Sequence, residues 1–377
     1  MRLISCRPLL GRGASAASYT CRAAYSSTSL AIRLRDELTT RKLPLTYDYL
    51  HPQPSHLLNL TLADLLAQSQ SQSHSRSDPS ETSNETQTQA QTLPVLPSIQ
   101  RPSPLPIAHH LIYFPPQVSL SQLLPDGTDI LHTPGDPFNR RLWAGGNIRF
   151  PGPGPLLDGS RAVCIESIRN VTVKGREGAE KVIVTIERRV STVPEGETEA
   201  ESWRRIWTED ETCPGESSLV ENRDLIFMRA KSVDEIRADR ESFGRPGRIV
   251  KSPSHATFRH SILPTKALLF RFSALTFNAH SIHLDKDYTQ NQEGYRNCLV
   301  HGPLTLTLLL SVLQRQLQPL NLQVSHFEYK NLAPLFVEEE LTVCGKPKNE
   351  SGAWDVWIEG PDGGLAVRGT AKTCERA

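Results

Sequence analysis

One almost wholly apolar helix near the C-terminus constrains the fold of this 377-residue chain more than any other segment. The predicted helix, Leu299–Gln318, opens with His301-Gly302-Pro303, and a proline in the first helical turn loses no hydrogen bond. Large aliphatic side chains surround most of its axis: Leu304, Leu306, Leu308, Leu309, Leu310, Val312 and Leu313. A helix that is apolar nearly all round is buried, so other elements must enclose it.

The segments around this helix predict the enclosing elements. Strands are predicted after it at Leu322–Lys330, Glu340–Cys344, Ala353–Glu359 and Leu365–Ala371, and one more before it at Thr265–Ser273. A long buried helix followed by an antiparallel meander predicts an α+β unit in which the sheet wraps around the helix.

The N-terminal half repeats these elements with a weaker helix. Strands are predicted at Arg161–Val173, Val182–Val190 and Leu225–Met228, and helical pieces within 31–67. The paired glycines of Trp143-Ala144-Gly145-Gly146 predict close packing of the backbone against a neighbour. Two such units side by side would make a pseudo-dimer within one chain.

Composition divides the chain into four parts. We expect a leader at 1–30, an N-terminal unit at 31–230, a linker at 231–257 and a C-terminal catalytic unit at 258–377. Residues 68–93 are almost entirely polar and cannot bury enough apolar surface to offset their ordering entropy, which predicts a disordered insertion in the first unit.

The leader has the composition of a mitochondrial presequence. No acidic residue precedes Asp36, whereas six arginines do: Arg2, Arg7, Arg12, Arg22, Arg33 and Arg35. Such segments are rich in arginine and serine and poor in acids. We therefore predict import into the mitochondrial matrix, with cleavage near Tyr25-Ser26-Ser27. A tail with chance arginines is the alternative. No apolar run approaches the roughly 20 residues of a membrane span.

Charge and cysteine usage exclude several classes of protein. The chain has 42 Lys+Arg against 41 Asp+Glu, so it has no broad positive field with which to bind nucleic acid. The seven cysteines are scattered, and none form a C-x-x-C pair. A zinc ribbon or redox pair is therefore not expected, and the thiols are predicted to be reduced and mostly buried.

Candidate chemistry is concentrated between 273 and 303. Asn278, His280, His283 and Asp285 lie in one short stretch, and imidazole is the side chain best suited to move protons near neutral pH. The H-x-x-H-x-D spacing also suggests a metal, but no third strong ligand follows at a recognisable spacing, so no metal is predicted. Hydrogen-bonded loop histidines are the structural alternative.

The helix opening supplies a second candidate feature. Gly302 lets a ligand approach the backbone, and the free N–H groups of a helix start can polarise a carbonyl oxygen. A histidine loop facing this opening could activate an acyl thioester. The alternative is that Gly302 is only a helix-start residue.

These motifs resemble a known superfamily. The run Phe277–His283, continued by Leu284-Asp285 and later by Val300-His301-Gly302, resembles the hydratase-2 motif of MaoC-like hot-dog enzymes, Gly-Asp-x-Asn-Pro-x-His. Three N-terminal segments resemble the fungal mitochondrial 3-hydroxyacyl-thioester dehydratase type 2 group and mesaconyl-C4-CoA-hydratase-like proteins: His109–Pro116, Arg140–Gly146 and Lys174–Gly178.

The resemblance implies a double hot-dog fold and reversible dehydration of (3R)-3-hydroxyacyl thioesters to trans-2-enoyl thioesters. The carrier would be acyl carrier protein, in mitochondrial type II fatty-acid synthesis, or coenzyme A. No cofactor is expected, and the chain would be a monomer or a homodimer. A mesaconyl-C4-CoA-type hydratase, a hot-dog thioesterase and a non-catalytic acyl-thioester-binding scaffold stay open as alternatives.

The resemblance also assigns site residues. His283 matches the catalytic histidine, and Gly302 the glycine whose N–H holds the thioester carbonyl. Asn278 falls where the family has its aspartate, and His280 where it has asparagine. An asparagine can orient a group but cannot exchange a proton. Either His283 acts alone with Asn278 positioning the hydroxyl, or His280 takes the missing proton-transfer role, or activity is lost.

Weaker candidates for substrate binding are His301, Arg271, Arg296 and Lys330. The N-terminal half has no matching histidine loop, and we expect it to shape an apolar tunnel beside the buried helix without taking part in the chemistry.

Overall fold

Ten strands form one antiparallel sheet in this computed structural model, which describes residues 27–67, 95–245, 249–348 and 352–376. The strands are β1 Thr46–Tyr49, β2 Arg140–Arg149, β3 Arg161–Lys174, β4 Lys181–Thr192, β5 Leu219–Met228, β6 Phe258–Ile262, β7 Leu322–Asn331, β8 Leu341–Pro347, β9 Ala353–Glu359 and β10 Leu365–Glu375. The predicted insertion at 68–93 and most of the predicted leader lie outside the described residues.

Helices pack against this sheet and connect its strands. They are α1 Ser27–Thr39, α2 Pro52–Ala67, α3 Glu199–Ile206, α4 Val233–Glu241, α5 Lys266–Leu275, α6 Ser281–Leu284, α7 Lys286–Asn291 and α8 Gly302–Leu317, with short 3-10 turns at His109–Ile112, Leu120–Gln122 and Gln318–Leu320. None of the helices in the described ranges is long and apolar enough to cross a membrane.

The order of the strands divides the sheet into two sets of five. The order is β1-β3-β4-β5-β2-β7-β10-β9-β8-β6, and β2 pairs with β7 at the centre. A Cβ on Gly145 would lie 2.4 Å from the Tyr329 carbonyl oxygen, and one on Gly146 only 1.9 Å from that of Asn222. The predicted close packing of these glycines is therefore confirmed, because it lets β2 lie between β5 and β7.

Helix α8 is the centre of the main core, as its composition predicts. It packs against strands from both halves of the sheet, namely β2, β7, β8 and β9. Leu304, Leu308 and Leu309 are fully buried, and Leu58 and Leu62 of α2 join the same cluster. The N-terminal half has a smaller second core, where Leu34 and Leu38 of α1 face apolar residues of β3, β4 and β5.

The predicted strand at Thr265–Ser273 is wrong, because this segment forms helix α5. The Thr265 side chain accepts a hydrogen bond from the Leu268 N–H at 3.1 Å and so caps the helix. Leu268, Leu269 and Phe272 are buried at helical spacing. A short apolar run does not distinguish a strand from a buried helix by periodicity alone.

The described cysteines are free thiols. Cys164, Cys298 and Cys344 are buried, whereas Cys213 and Cys374 are exposed. This agrees with the prediction of reduced and mostly buried thiols.

Candidate active site

A cavity of about 840 Å³ is lined by residues from both halves of the chain. Trp143 and Arg141 of β2 come from the N-terminal half, and His283 and Gly302 from the C-terminal half. His280 and Asn278 also line it. The structure therefore brings the four strongest candidates of the sequence together around one space.

His283 is held in a defined tautomer. It lies on the short helix α6, is almost fully buried, and its Nδ1 is 2.8 Å from the carbonyl oxygen of Leu299. Because a carbonyl only accepts, Nδ1 carries the hydrogen and Nε2 keeps its lone pair for a substrate. Burial lowers the pKa of His283 to about 4. At neutral pH the ring is therefore an uncharged base.

His301 supports His283 from behind. Its ring stacks on that of His283 with the centroids 3.7 Å apart, and its Nε2 is 2.8 Å from Ser273 Oγ. His301 is fully buried and is not among the lining residues of the cavity. Burial, with the nearby charge of His283, lowers its pKa well below the usual range. The geometry gives it a supporting position and no direct contact with a substrate in the cavity.

Gly302 is the first residue of α8 and faces the cavity. A residue at the start of a helix has no intrahelical acceptor for its N–H, and the next residue, Pro303, has no N–H. A Cβ at Gly302 would lie 2.7 Å from Cβ of Trp143. Glycine is thus required by the close approach of Trp143, and its N–H remains available to a carbonyl oxygen.

His280 has a partner that the sequence did not indicate. Its Nε2 lies 3.4 Å from Oδ2 of Asp126, and both side chains are buried. Asn278 does not contact that ring nitrogen; its Oδ1 accepts the backbone N–H of His280 at 3.0 Å. Asp126-Gly127 reads in the sequence as an ordinary turn, so no local signal identified Asp126 as part of the site.

The loop that carries Asp126 docks on the histidine loop. The Ser281 N–H donates to the Asp126 carbonyl oxygen at 2.8 Å. Gly127 has φ +82°, and a Cβ there would lie 2.1 Å from the carbonyl oxygen of Ala279. This contact of two backbones, one from each half, fixes His280 and Asp126 relative to each other.

Charged side chains of the N-terminal half also line the cavity, among them Arg141, Arg188 and Arg223. Arg141 pairs with Asp129 at 3.0 Å, and Arg188 contacts Glu221 at 3.3 Å. Arg223 Nε is 2.8 Å from the same Glu221, and its guanidinium lies 4.8 Å from the centre of the Trp143 ring. Sequence reasoning missed these arginines, because they are separated along the chain and meet only through the pairing of β2, β4 and β5.

The cationic candidates of the sequence lie elsewhere. Arg271 is exposed on α5, Lys330 is exposed on β7, and Arg296 pairs with Glu339 at 2.5 Å. None of the three is among the lining residues of the cavity. Across the described ranges no three His, Cys, Asp or Glu side chains converge as a metal site would require.

Comparison with known proteins gives the family. The family model for hydroxyacyl-thioester dehydratase type 2 matches residues 108–337. The chain is 30% identical over 272 residues to the mesaconyl-C4-CoA hydratase of Chloroflexus aurantiacus, covering 72% of this chain and 84% of that protein. It is 27% identical over 257 residues to the mitochondrial hydroxyacyl-thioester dehydratase type 2 of Schizosaccharomyces pombe, covering 67% and 79%.

A solved structure has the same fold. The MaoC-like dehydratase from Phytophthora capsici superposes with a TM-score of 0.54 at 10% sequence identity, over 91% of this chain and 99% of that one. The two five-stranded sets joined through β2 and β7 agree with this similarity. The chain therefore belongs to the hydroxyacyl-thioester dehydratase type 2 family of hydro-lyases and has the MaoC-like α+β double hot-dog fold.

Proposed function

We propose that the chain catalyses the reversible dehydration of (3R)-3-hydroxyacyl thioesters to trans-2-enoyl thioesters. The observation that carries this proposal is the state of His283. Its Nδ1–H is bound to the Leu299 carbonyl, so a neutral Nε2 remains in a cavity that Gly302 also lines. A neutral imidazole beside the available N–H of Gly302 suits abstraction of a proton next to a carbonyl.

The proposed reaction proceeds in two linked events. His283 Nε2 takes the proton from C2 of the substrate, and the Gly302 N–H stabilises the negative charge that develops on the thioester oxygen. The electrons of the broken C–H bond form the double bond while the C3–O bond breaks. The leaving oxygen takes one proton from an acid in the site, either the imidazolium that His283 has become or a second proton donor, and departs as water. Hydration is the reverse of these steps.

We propose that the carrier is acyl carrier protein or coenzyme A and that the chain works in the mitochondrial matrix, in type II fatty-acid synthesis. Two relatives, from Schizosaccharomyces pombe and Saccharomyces cerevisiae, are named mitochondrial hydroxyacyl-thioester dehydratases. The arginine-rich, acid-free leader before Asp36 supports the same location. Import of the full chain, and not of one lacking residues 1–30, would test this.

We also propose that 31–230 and 258–377 are the two hot-dog units, joined by 231–257. Pairing of β2 with β7 inside one chain supports this division, because it provides internally the contact that two separate units would make. A monomer or a homodimer is compatible with this arrangement. The mass of the purified chain in solution, measured by light scattering, would distinguish the two.

Product analysis tests the reaction class. Incubation of the purified chain with crotonyl-CoA and decenoyl-CoA should yield 3-hydroxyacyl thioesters without release of free thiol. Free thiol in proportion to substrate lost would indicate a thioesterase. No turnover of these thioesters, or of the same acyl groups on acyl carrier protein, would favour a binding scaffold and overturn the proposal.

An acyl chain that ends in a carboxylate is the second candidate substrate. Arg223 lines the cavity and stacks on Trp143, which itself packs against Gly302. Among the described residues, no hydrogen bond from its terminal amino groups is found. A guanidinium in this position could bind a distal carboxylate, as a mesaconyl-C4-CoA-type substrate would require.

A further inference from the structure

We propose that Asp126 and His280 form a second proton-transfer pair, in which Asp126 positions His280 to protonate the departing hydroxyl. This inference rests on the proposed dehydration and extends it. It assigns a role in the chemistry to the N-terminal half, which the sequence led us to regard as a wall of the tunnel only. His280 would be a catalytic residue, and Asp126 a positioning residue that acts through it.

The carboxylate of Asp126 is oriented before any substrate binds. Its Oδ1 accepts two hydrogen bonds from Thr128, one from the backbone N–H at 2.9 Å and one from the hydroxyl at 2.7 Å. Its other oxygen, Oδ2, is thereby left facing His280 Nε2. Within the described ranges, His280 is the one basic side chain in ion-pair distance of Asp126. A buried carboxylate with this single partner favours a protonated Nε2 on the histidine.

The orientation of His280 follows from that contact. With Nε2 directed to Asp126, Nδ1 is the ring nitrogen left for other partners. His280 lines the cavity, and its ring meets the ring of His283 edge-on with the centroids 5.5 Å apart. Two imidazoles at this separation can contact the groups on C2 and C3 of one substrate, because both line the same cavity. This is the arrangement that an elimination on one face of the substrate needs.

The proton balance of the step is complete without any other reactant. His283 Nε2 gains the proton from C2, and the freed electron pair forms the C2–C3 double bond. The C3–O bond breaks, the oxygen takes the Nδ1 proton of protonated His280, and water leaves. The pair has then exchanged charge: His283 is protonated and His280 is neutral. Return of the proton from His283 to His280, directly or through water, resets the site.

Some of the groups around His280 disfavour its protonated form, and one group favours it. Burial lowers the pKa of His280, and the charges of His283 and Arg141 act in the same direction. Asp126 is the facing carboxylate that counteracts them, and Asn278 contributes only a neutral amide. The carboxylate that is missing at position 278 is thus supplied from another part of the chain.

The test compares Asp126→Asn with the wild-type full chain in the dehydration of (3R)-3-hydroxybutyryl-CoA. Dehydration requires protonated His280 and neutral His283, so kcat should fall on the high-pH side of its optimum as His280 loses its proton. Because burial lowers the pKa of His280 well below its usual value, this high-pH limb should lie below the usual histidine range. Asp126→Asn should lower kcat about 10-fold to 100-fold with little change in KM, and should move this high-pH limb to lower pH. Thr128→Val keeps the carboxylate and should leave the limb nearer its wild-type position.

Titration of the His280 ring by NMR gives a readout that does not depend on turnover. In Asp126→Asn the ring should lose its proton at lower pH than in the wild type. An unchanged titration and an unchanged pH limb would show that Asp126 is only structural and would overturn the inference. If Asp126→Asn does not fold, His280→Gln is the substitute: its high-pH limb must disappear, and a limb that persists overturns the inference.

Failure of the proposed function would look different. In that case the wild-type chain would turn over none of the enoyl or 3-hydroxyacyl thioesters, and the inference would fall with it. A wild-type chain that is active, and an Asp126→Asn variant with the same kcat and pH profile, would contradict the inference alone.

Discussion

The imidazole rings of His283 and His301 stack with their centroids 3.7 Å apart and their planes inclined by 21°. His301 is anchored through Ser273 Oγ and is fully buried at the start of α8. It therefore gives the ring of His283 a rigid backing on one side, while the Leu299 carbonyl fixes Nδ1. The position of the proposed base thus depends on the same helix start that presents the Gly302 N–H.

This stacking leads to a prediction for position 301. His301→Ala should lower kcat about tenfold and destabilise the protein by about 2–4 kcal/mol, since it leaves a cavity behind a buried ring. His301→Phe keeps an aromatic ring against His283 and should retain more of both. Steady-state kinetics and urea unfolding of the two variants provide the measurement. Equal losses in both would show that the stacked ring is not what matters.

The stability of the protein should fall in acid. The pKa values of His109 and His283 are both lowered from 6.5 to about 4, chiefly by burial. The folded state therefore favours the neutral rings, and this contribution is complete above pH 6.5 and is lost as pH falls to about 4. Each histidine accounts for about 3 kcal/mol over this window.

Urea unfolding at pH 7, 5.5 and 4.5 measures this dependence. His109 lies outside the cavity and contacts Ser55 Oγ at 2.7 Å, so His109→Gln removes one titrating group with a lowered pKa without touching the site. Its unfolding free energy should vary less with pH than that of the wild type. A wild-type free energy that is the same at pH 7 and pH 4.5 would refute the prediction.

Gly302 should not tolerate a side chain. In Gly302→Ala the new Cβ would lie 2.7 Å and 2.8 Å from Cβ and Cγ of Trp143, so either the helix start or Trp143 must shift. We expect a loss of about 1–3 kcal/mol in stability and at least a tenfold lower kcat/KM. Gly360→Ala is the matched control, because its nearest neighbour would be 3.9 Å away. Similar behaviour of the two variants would contradict this role.

The sequence predicted the elements whose pattern is local. Helix α8 was evident from its continuous apolar circumference and from Pro303, and strands β7 to β10 from alternation. Helix α5 was predicted as a strand, because Leu268-Leu269-Phe270 is equally compatible with a buried strand, and only the cap at Thr265 and the packing distinguish the two.

The parts of the site that depend on tertiary contact were not predictable. Asp126, in the N-terminal half, lies against His280 of the C-terminal half. Arg223 lines the cavity only because β5 pairs with β2. Neither contact can be predicted from the spacing of these residues in the sequence. The motif at 278–283, by contrast, was visible because a single loop and a short helix hold its residues together.

Substrate preference should depend on Arg223 if the acyl chain ends in a carboxylate. Arg223→Met should lower the ratio of kcat/KM for mesaconyl-C4-CoA to that for crotonyl-CoA by about 10-fold to 100-fold, as expected for the loss of a hydrogen bond between charged groups. Arg271→Met, an exposed residue that does not line the cavity, should leave this ratio unchanged. An unaltered ratio in Arg223→Met would remove the carboxylate-ended substrate from consideration.

The central claim is that the Nε2 of His283 moves the proton at C2 of a thioester. The most direct measurement is the initial rate at which the wild type and His283→Ala remove the enoyl absorbance of crotonyl-CoA at neutral pH, with urea unfolding to verify that the variant is folded. We expect the folded variant to be slower by a factor of about 100 to 10,000. A folded His283→Ala variant that hydrates crotonyl-CoA at the wild-type rate would contradict the assignment.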